Sequence, residues 1–208
     1  MRYASAWILT LAILSIAGGW VSMRIATRTP PLPVLDSLGG DFALPSTIGG
    51  ISHLSDFRGD LVLLNFGYTS CPDVCVTVLA RIRDVLRAVN GGGQPIHAVF
   101  VTLDPERDNL DKLESYIEFF DPSFVGMSGT GEQIKNTADL YKVFYEKVDI
   151  VSDTNYSISH SSHIYLLDTD GRVRATFGPG VTVPSMIQTV NQLQSETTAF
   201  TLPELFNP

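Results

Sequence analysis

The chain has 208 residues, 44% of them apolar, and this size and composition exclude a disordered protein and suit one domain with a full hydrophobic core. The net charge is −8, and three of the 14 basic residues precede the first acidic residue, Asp36, so the rest of the chain carries 11 basic and 22 acidic side chains. Such an acidic body repels the phosphate backbone, which excludes DNA and RNA as partners.

Residues 1–28 predict a membrane anchor. Trp7 to Met23 is a run of 17 residues without a charge, with Arg2 before it and Arg24 after it. This length is short for a membrane span but longer than most signal-peptide cores, so we favour an uncleaved anchor over a cleaved signal peptide. Residues 29–35 are rich in proline and predict a stiff spacer that lifts the folded part off the bilayer. The folded part is expected on the exported side, where thiols can be oxidised.

Residues 36–195 predict one domain of alternating strands and helices, followed by a tail at 196–208. The strands are indicated by apolar runs or by alternation, and their expected positions are 41–44, 51–54, 61–66, 96–103, 124–127, 163–167 and 173–177. The first two strands flank Gly49 and Gly50, and the last two flank the turn 169–171. Each of these pairs is therefore expected to form a hairpin.

Apolar residues at helical spacing predict four helices, at 74–89, 110–120, 134–145 and in the segment that Pro184 opens. Asp108 is the expected cap of the second helix. The residues 130–133 have the capping-box pattern ahead of the third helix. The order of strands and helices, ending in a hairpin and a helix, predicts a mixed sheet covered on both faces. The predicted class is α/β, with a thioredoxin-like order, an N-terminal β-hairpin extension and an inserted strand-helix unit.

Cys71 and Cys75 are the only two cysteines of the chain, and they lie at the start of the first predicted helix. Positions i and i+4 share one face of a helix, with a rise of about 6 Å between them. Both sulfurs can therefore point at one ion or at each other. A disulfide that closes so short a loop gives little entropic stabilisation, so a purely structural bridge explains the pair poorly.

Four motifs occur in a fixed order along the chain. They are Phe-Gly-Tyr-Thr-Ser-Cys-Pro-Asp-Val-Cys at 66–75, Val-Thr-Leu-Asp-Pro-Glu-Arg-Asp at 101–108, Phe-Val-Gly-Met-Ser-Gly-Thr at 124–130, and His160 five residues before Tyr165. As a set they closely resemble the Sco/SenC family, and the resemblance covers roughly residues 36–195. Members of that family are membrane-tethered copper proteins with a thioredoxin fold that help to assemble the copper centre of cytochrome c oxidase.

The resemblance implies that Cys71, Cys75 and His160 are copper ligands. It also implies an inner-membrane anchor, a domain facing the periplasm, and a copper-accepting subunit of cytochrome c oxidase as partner. Two thiolates and one imidazole make a soft site with few ligands, which suits Cu(I) and can also hold Cu(II). A structural zinc site would need a fourth ligand, for which His163 is the candidate. Because the thiolates must stay reduced outside the cytoplasm, an external thiol reductant is a further expected partner.

The neighbours of these ligands have more modest expected roles. His160 is expected in the polar loop 157–162, which can bring it over the start of the cysteine helix. His163 is expected to begin the next strand, in packing or as a donor behind the ligands. Tyr68 and Asp73 are expected to be walls of the site.

The chain departs from the common family pattern at two positions beside the ligands. Ser159 stands where an Asp commonly precedes the ligand histidine, and Val76 stands where a Pro commonly follows the second cysteine. The imidazole of His163 is an addition to the pattern. These differences bear on metal affinity and redox behaviour rather than on the three ligand positions.

A polar cluster of Asp104, Arg107 and Asp108 follows the predicted strand 96–103, at the end where ligands gather in open α/β sheets. In a structural interpretation, Asp108 caps the next helix and Arg107 pairs with a neighbouring carboxylate. In a functional interpretation, the cluster supports the metal site from behind or forms a docking surface beside it.

The main alternative is a thiol-disulfide oxidoreductase that reduces the cysteines of a copper-accepting partner. In that case Cys71 is the nucleophile, activated at the helix N-terminus. Three residues rather than the usual two separate the cysteines. Such enzymes also keep a cis-proline before the strand that faces their cysteines, and no proline occurs here between Pro122 and Pro179. The two functions are not exclusive, because a copper donor can also reduce its acceptor.

Overall fold

A computed structural model describes residues 30–71, 74–90 and 93–201 of the chain. The predicted anchor at 1–28 and the predicted wall residue Asp73 lie outside these ranges. Within them, no helix combines the length and the apolar character that a membrane crossing requires.

The described residues form short strands and longer helices. The strands are β1 (Ala43–Pro45), β2 (Ile51–His53), β3 (Leu61–Gly67), β4 (Ile96–Thr102), β5 (Val125–Met127), β6 (Tyr145–Ser152), β7 (Asn155–His160), β8 (Ile164–Leu167) and β9 (Val173–Phe177). The helices are α1 (Val74–Val89), α2 (Leu110–Glu118), α3 (Gly131–Leu140) and α4 (Val183–Thr201), with a single 3-10 turn at Leu54–Phe57.

The central sheet has five strands in the order β5-β4-β3-β8-β9. β3, β4 and β5 run parallel, whereas β8 and β9 join antiparallel to them. Side chains of β3 alternate between two apolar layers, as a strand buried on both faces requires. Leu61 and Leu63 face α1 and α4, while Val62, Leu64 and Phe66 face α3 and the N-terminal hairpin. The predicted α/β class, with a mixed sheet covered on both faces, is confirmed.

The predicted N-terminal hairpin is confirmed as β1 paired with β2, and the predicted hairpin near the C-terminus as β8 paired with β9. The capping box ahead of α3 is also confirmed, because the Thr130 hydroxyl accepts from the Gln133 N–H and the Gln133 side chain accepts from the Thr130 N–H. These local signals are short in range, which is why sequence patterns identify them.

The prediction for residues 141–162 is wrong in two respects. α3 ends at Leu140 rather than continuing to Tyr145, because Lys142 adopts a left-handed φ of 55° and the Val143 N–H closes the helix on the Ala138 carbonyl. The segment 157–162, predicted as a polar loop, instead contributes residues 157–160 to β7, which pairs antiparallel with β6. Tyr145 is the first residue of β6, and His160 is the last residue of β7.

Asp108 is not the cap of α2, contrary to the prediction. The N-cap is Asn109, whose side chain accepts from the Lys112 N–H at 2.9 Å. Asp108 is fully buried and its carboxylate takes part in contacts with the loop after β3. Both residue types cap helices well, so only the tertiary contact decides between them.

The compact domain begins at Leu32, inside the predicted spacer 29–35. The Leu32 N–H donates to the Glu196 carboxylate, and Arg174 donates to the Leu32 carbonyl while pairing with Glu196 at 2.8 Å. Glu196 therefore belongs to the packed part of α4 rather than to a tail that starts there.

Replacing the capping side chain tests the revised start of α2. Asn109→Ala should lower the free energy of unfolding by about 1 kcal/mol, because the Lys112 N–H loses its acceptor. Asn109→Asp is the matched control and should stay within a few tenths of a kcal/mol of the original protein, because Asp caps equally well. Urea denaturation measures both values, and an Asn109→Ala protein of unchanged stability would contradict this assignment.

Candidate metal centre

The site lies where two parallel strands end side by side. Gly67, the last residue of β3, pairs with Thr102, the last residue of β4, and the Leu103 N–H donates to the Gly67 carbonyl at 2.7 Å. The loop that leads to Cys71 and the loop that begins at Asp104 therefore leave the sheet together. Parallel β-strands place their carboxyl ends at one edge, which brings both loops into contact.

The two cysteines lie on the first turn of α1 and just before it. Cys75 is buried and Cys71 is half-exposed, and neither is in a disulfide. The Cys75 N–H donates to the Cys71 sulfur at 3.4 Å. The side-chain hydrogen bond between the two thiols, and after it burial, raises the pKa of the Cys75 thiol far above its usual range. In the absence of a metal, Cys75 therefore keeps its proton.

Gly67 leaves room for the Cys75 sulfur. A Cβ atom on Gly67 would lie 2.9 Å from the Cys75 Sγ and 2.9 Å from the ring of Phe100. Both distances are far shorter than a normal van der Waals contact, and both neighbours are buried. A glycine at the end of β3 is therefore required for the thiol to occupy its observed position.

His160 reaches the cysteines from β7. Its Nε2 lies 3.5 Å from the Cys75 Sγ, and its Nδ1 lies 3.0 Å from the Ser161 carbonyl oxygen. A carbonyl only accepts, so Nδ1 carries the proton and donates, and the lone pair of Nε2 faces the sulfurs. A ring held in this way by a backbone carbonyl is the usual arrangement for a metal-ligating histidine. Ser159, where an Asp is common in the family, is exposed.

The three predicted ligands come together in the structure. The two sulfurs and one imidazole nitrogen all lie within 4.8 Å of one another. An ion bonded at about 2.0–2.3 Å holds its ligand atoms roughly 3.5–4 Å apart, so small movements would close this group around one ion. His163 is not part of the group, because it is exposed and its ring lies beside Gly178.

Tyr68 forms one wall of the site, as predicted. Its ring lies edge-on to the His160 ring, with 6.0 Å between centroids, and its hydroxyl accepts from the Ile158 N–H at 3.3 Å. Tyr68 packs with Cys75, Tyr156 and Ile158 in a small apolar cluster. Burial raises the pKa of Tyr68, so the phenol stays neutral beside the sulfurs.

The carboxylate of Asp108 fixes the loop that precedes Cys71. It accepts from the Thr69 N–H at 2.8 Å, the Thr69 hydroxyl at 2.5 Å and the Thr102 hydroxyl at 2.7 Å. Lys112, one turn along α2, donates to it at 3.1 Å. A buried carboxylate with this many donors is well satisfied, so the loop is held firmly against the end of β4.

The hairpin that carries His160 contacts the other carboxylate of the predicted polar cluster. Tyr156 donates its hydroxyl proton to Asp104 at 2.6 Å, and Arg107 pairs with Asp104 as predicted. Thr69 and Tyr156 were not identified from the sequence. The alternation of Tyr156 and Ile158 with serines at 157 and 159 is a strand signal that could have identified the hairpin.

These features define a thioredoxin-like protein with a candidate metal centre of two cysteines and one histidine. The SCO1/SenC family matches residues 33–195. The chain therefore belongs to this family.

Relatives and solved structures agree with this assignment. An SCO2-like protein of Rickettsia felis is 36% identical over 175 residues, which cover 79% of this chain and 85% of that protein. Bradyrhizobium japonicum ScoI with copper bound has a TM-score of 0.68 and 35% identity, covering 75% of this chain and 99% of that one. Arabidopsis thaliana ScoI with copper bound has a TM-score of 0.71 and 29% identity, covering 76% and 99% respectively.

A methyl group at Gly67 tests whether the Cys75 position depends on close packing. Gly67→Ala should lower the free energy of unfolding by about 1–3 kcal/mol, because the added Cβ overlaps two buried neighbours. Gly131→Ala is the control, since a Cβ there meets nothing within 4 Å and lies in the first turn of α3. If the two variants were equally stable in urea denaturation, the end of β3 would accommodate a Cβ atom, and the position of Cys75 would not depend on Gly67.

Proposed function

We propose that the protein binds one copper ion through Cys71, Cys75 and His160 and delivers it for assembly of the copper centre of cytochrome c oxidase. The observation that carries this proposal is the convergence of two sulfurs and one imidazole nitrogen within 4.8 Å. Soft sulfur ligands favour Cu(I), and the added imidazole also suits Cu(II). Three ligands from two segments suffice for a single ion. The copper-bound relatives from Bradyrhizobium japonicum and Arabidopsis thaliana support the choice of metal.

Copper is the cargo in this proposal, and the position of the site suits its transfer. Cys71 is half-exposed, and Val74 and Val76 in the first turn of α1 are about 40% exposed. Thiolate or imidazole ligands of an acceptor can therefore approach the ion from the Cys71 side and replace its ligands one at a time. The predicted anchor at 1–28 would confine donor and acceptor to the surface of the inner membrane, with the domain in the periplasm.

Copper loading is coupled to thiol redox state in this proposal. The metal needs both cysteines as thiolates, so a disulfide between Cys71 and Cys75 ejects the ion, and bound copper protects the pair from oxidation. An external thiol reductant must therefore act before loading.

Reduction of an acceptor's cysteines is the second candidate function. Cys71 is the more exposed sulfur and accepts the Cys75 N–H at the start of α1, which is the position of an attacking thiolate in thiol-disulfide oxidoreductases. Cys75, buried behind it, would be the resolving thiol. This activity uses the same two residues and competes with bound copper.

Substitution of each ligand tests the copper site. The purified protein should bind one equivalent of copper, and Cys71→Ser or Cys75→Ser should abolish stable binding because a hydroxyl is a poor ligand for a soft ion. His160→Ala should remove the thiolate charge-transfer absorption of the Cu(II) form, whereas His163→Ala should keep most of it. A full equivalent of copper on Cys71→Ser, or the reverse order of the two histidine variants, would refute the ligand set.

Loss of the gene separates the two candidate functions in cells. Deletion should lower cytochrome oxidase activity, and added copper should restore at least part of it, because the protein supplies the metal. Oxygen consumption with an oxidase-specific electron donor measures the effect. Rescue by a small-molecule thiol but not by copper would support the reductase instead.

A further inference from the structure

The hairpin of β6 and β7 is docked on the domain by side chains. Its two strands form a separate sheet, and within the described residues they share no strand pairing with the central sheet. β6 is largely exposed, with Ile150 and Val151 facing solvent. The position of His160 therefore depends on the contacts that the inner face of β7 makes.

Asp104, Arg107 and Tyr156 form a closed set of contacts on that inner face, which we call the hairpin clamp. The Tyr156 hydroxyl donates to Asp104 at 2.6 Å, and the Arg107 Nε donates to the other oxygen of the same carboxylate. The Arg107 Nη1 donates to the Tyr156 carbonyl at 2.9 Å. The guanidinium carbon also lies 3.6 Å from the centroid of the Tyr156 ring. Each member of the clamp thus contacts both others.

The clamp is buried, which makes its geometry costly to change. Asp104 is almost fully buried, and the Arg107 side chain retains 13% of its exposure. The Arg107 Nη2 is buried without a hydrogen-bond partner, and stacking on the tyrosine ring is the favourable contact that remains for it. Removing one member would leave a buried charged or polar group without its partner, which is costly in free energy where little water is present.

The clamp connects directly to the third ligand. Tyr156, Ile158 and His160 alternate along β7, so their side chains lie on one face, and about 13 Å of strand separates the first from the last. Tyr68 lies between them, because it accepts from the Ile158 N–H and its ring lies edge-on to His160. A shift of Tyr156 therefore moves His160 relative to the sulfurs.

The cysteines are positioned by a different carboxylate. Asp108 holds Thr69 in the loop before Cys71, and its hydrogen bonds involve neither strand of the hairpin. Cys75 also packs against Tyr156 and Ile158. The loop before Cys71 is nevertheless held by Asp108, so a movement of the hairpin displaces His160 more than the sulfurs.

We propose that Asp104, Arg107 and Tyr156 are positioning residues that determine whether the imidazole of His160 takes part in copper binding. With the clamp closed, the ion has two sulfurs and one nitrogen as ligands. With the clamp open, the two cysteines alone remain, which is sufficient for Cu(I) but not for Cu(II). This inference rests on the proposed copper-binding function and adds the residues that give the site its affinity for Cu(II).

Tyr156→Phe is the sharpest test, because it removes only the hydroxyl that bonds Asp104. The Cu(II) affinity should fall about tenfold or more, as expected for loss of a hydrogen bond to a charged group, and the charge-transfer absorption should weaken. The Cu(I) affinity, measured by competition with a chromophoric chelator, should change less than about threefold. Arg107→Lys, which cannot stack and fork as a guanidinium does, should give the same split. Asp84→Asn is the control and should change neither affinity, since it removes an exposed salt bridge with Arg83 on α1 that involves no residue of the hairpin.

Hydrogen exchange of the metal-free protein provides a readout that does not depend on copper. The amides of β7, including Ile158, should exchange faster in Tyr156→Phe and Arg107→Lys than in Asp84→Asn, while the amides of β4 stay unchanged. Parallel loss of Cu(I) and Cu(II) affinity, or unchanged exchange in β7, would overturn the clamp. If the original protein bound no copper, the proposed function would fail, and β7 exchange would still decide whether these residues position His160.

Discussion

Two buried carboxylates on one short loop, Asp104 and Asp108, join the segments that carry the candidate ligands. Asp108 accepts three hydrogen bonds from Thr69 and Thr102, and Asp104 accepts from Tyr156 and pairs with Arg107. Burial of a carboxylate is unfavourable unless hydrogen-bond donors surround it. Each of the two carboxylates therefore holds the segments that carry its donors in place. The loop follows β4, and β4 lies inside the five-stranded sheet, so the site takes its rigidity from the core.

The cysteines and His160 are held in the protein with different firmness. Cys75 lies on a helix that packs on the central sheet, Cys71 lies just before that helix, and Gly67 leaves the space that the Cys75 sulfur occupies. His160 lies at the end of a two-stranded hairpin whose outer strand is exposed. A copper carrier needs ligands that hold the ion and also release it. A fixed thiol pair with a separately docked imidazole meets both needs, because loss of one ligand lowers the affinity without disturbing the core.

The sequence was sufficient for the parts of the molecule that follow local rules. Apolar runs identified β3 and β4, and spacing together with the family resemblance identified Cys71, Cys75 and His160, which the structure brings together. The β6–β7 hairpin was missed because the segment as a whole is polar and most of β6 is exposed, so no apolar run marks it. The error at Asp108 has another cause. Asp108 and its neighbour, the actual cap, are equally good caps, and Asp108 is removed from that role by a contact with Thr69, 39 residues away.

X-ray absorption spectroscopy of the copper-loaded protein tests the central claim most directly, because it counts the ligand atoms and identifies imidazole by its outer-ring scattering. A single copper with two sulfur ligands and one imidazole nitrogen is expected in the Cu(II) form, and the imidazole signal should be lost in His160→Ala. A first shell that lacks sulfur, or an imidazole signal that persists in His160→Ala, would contradict the assignment of Cys71, Cys75 and His160 as the metal centre.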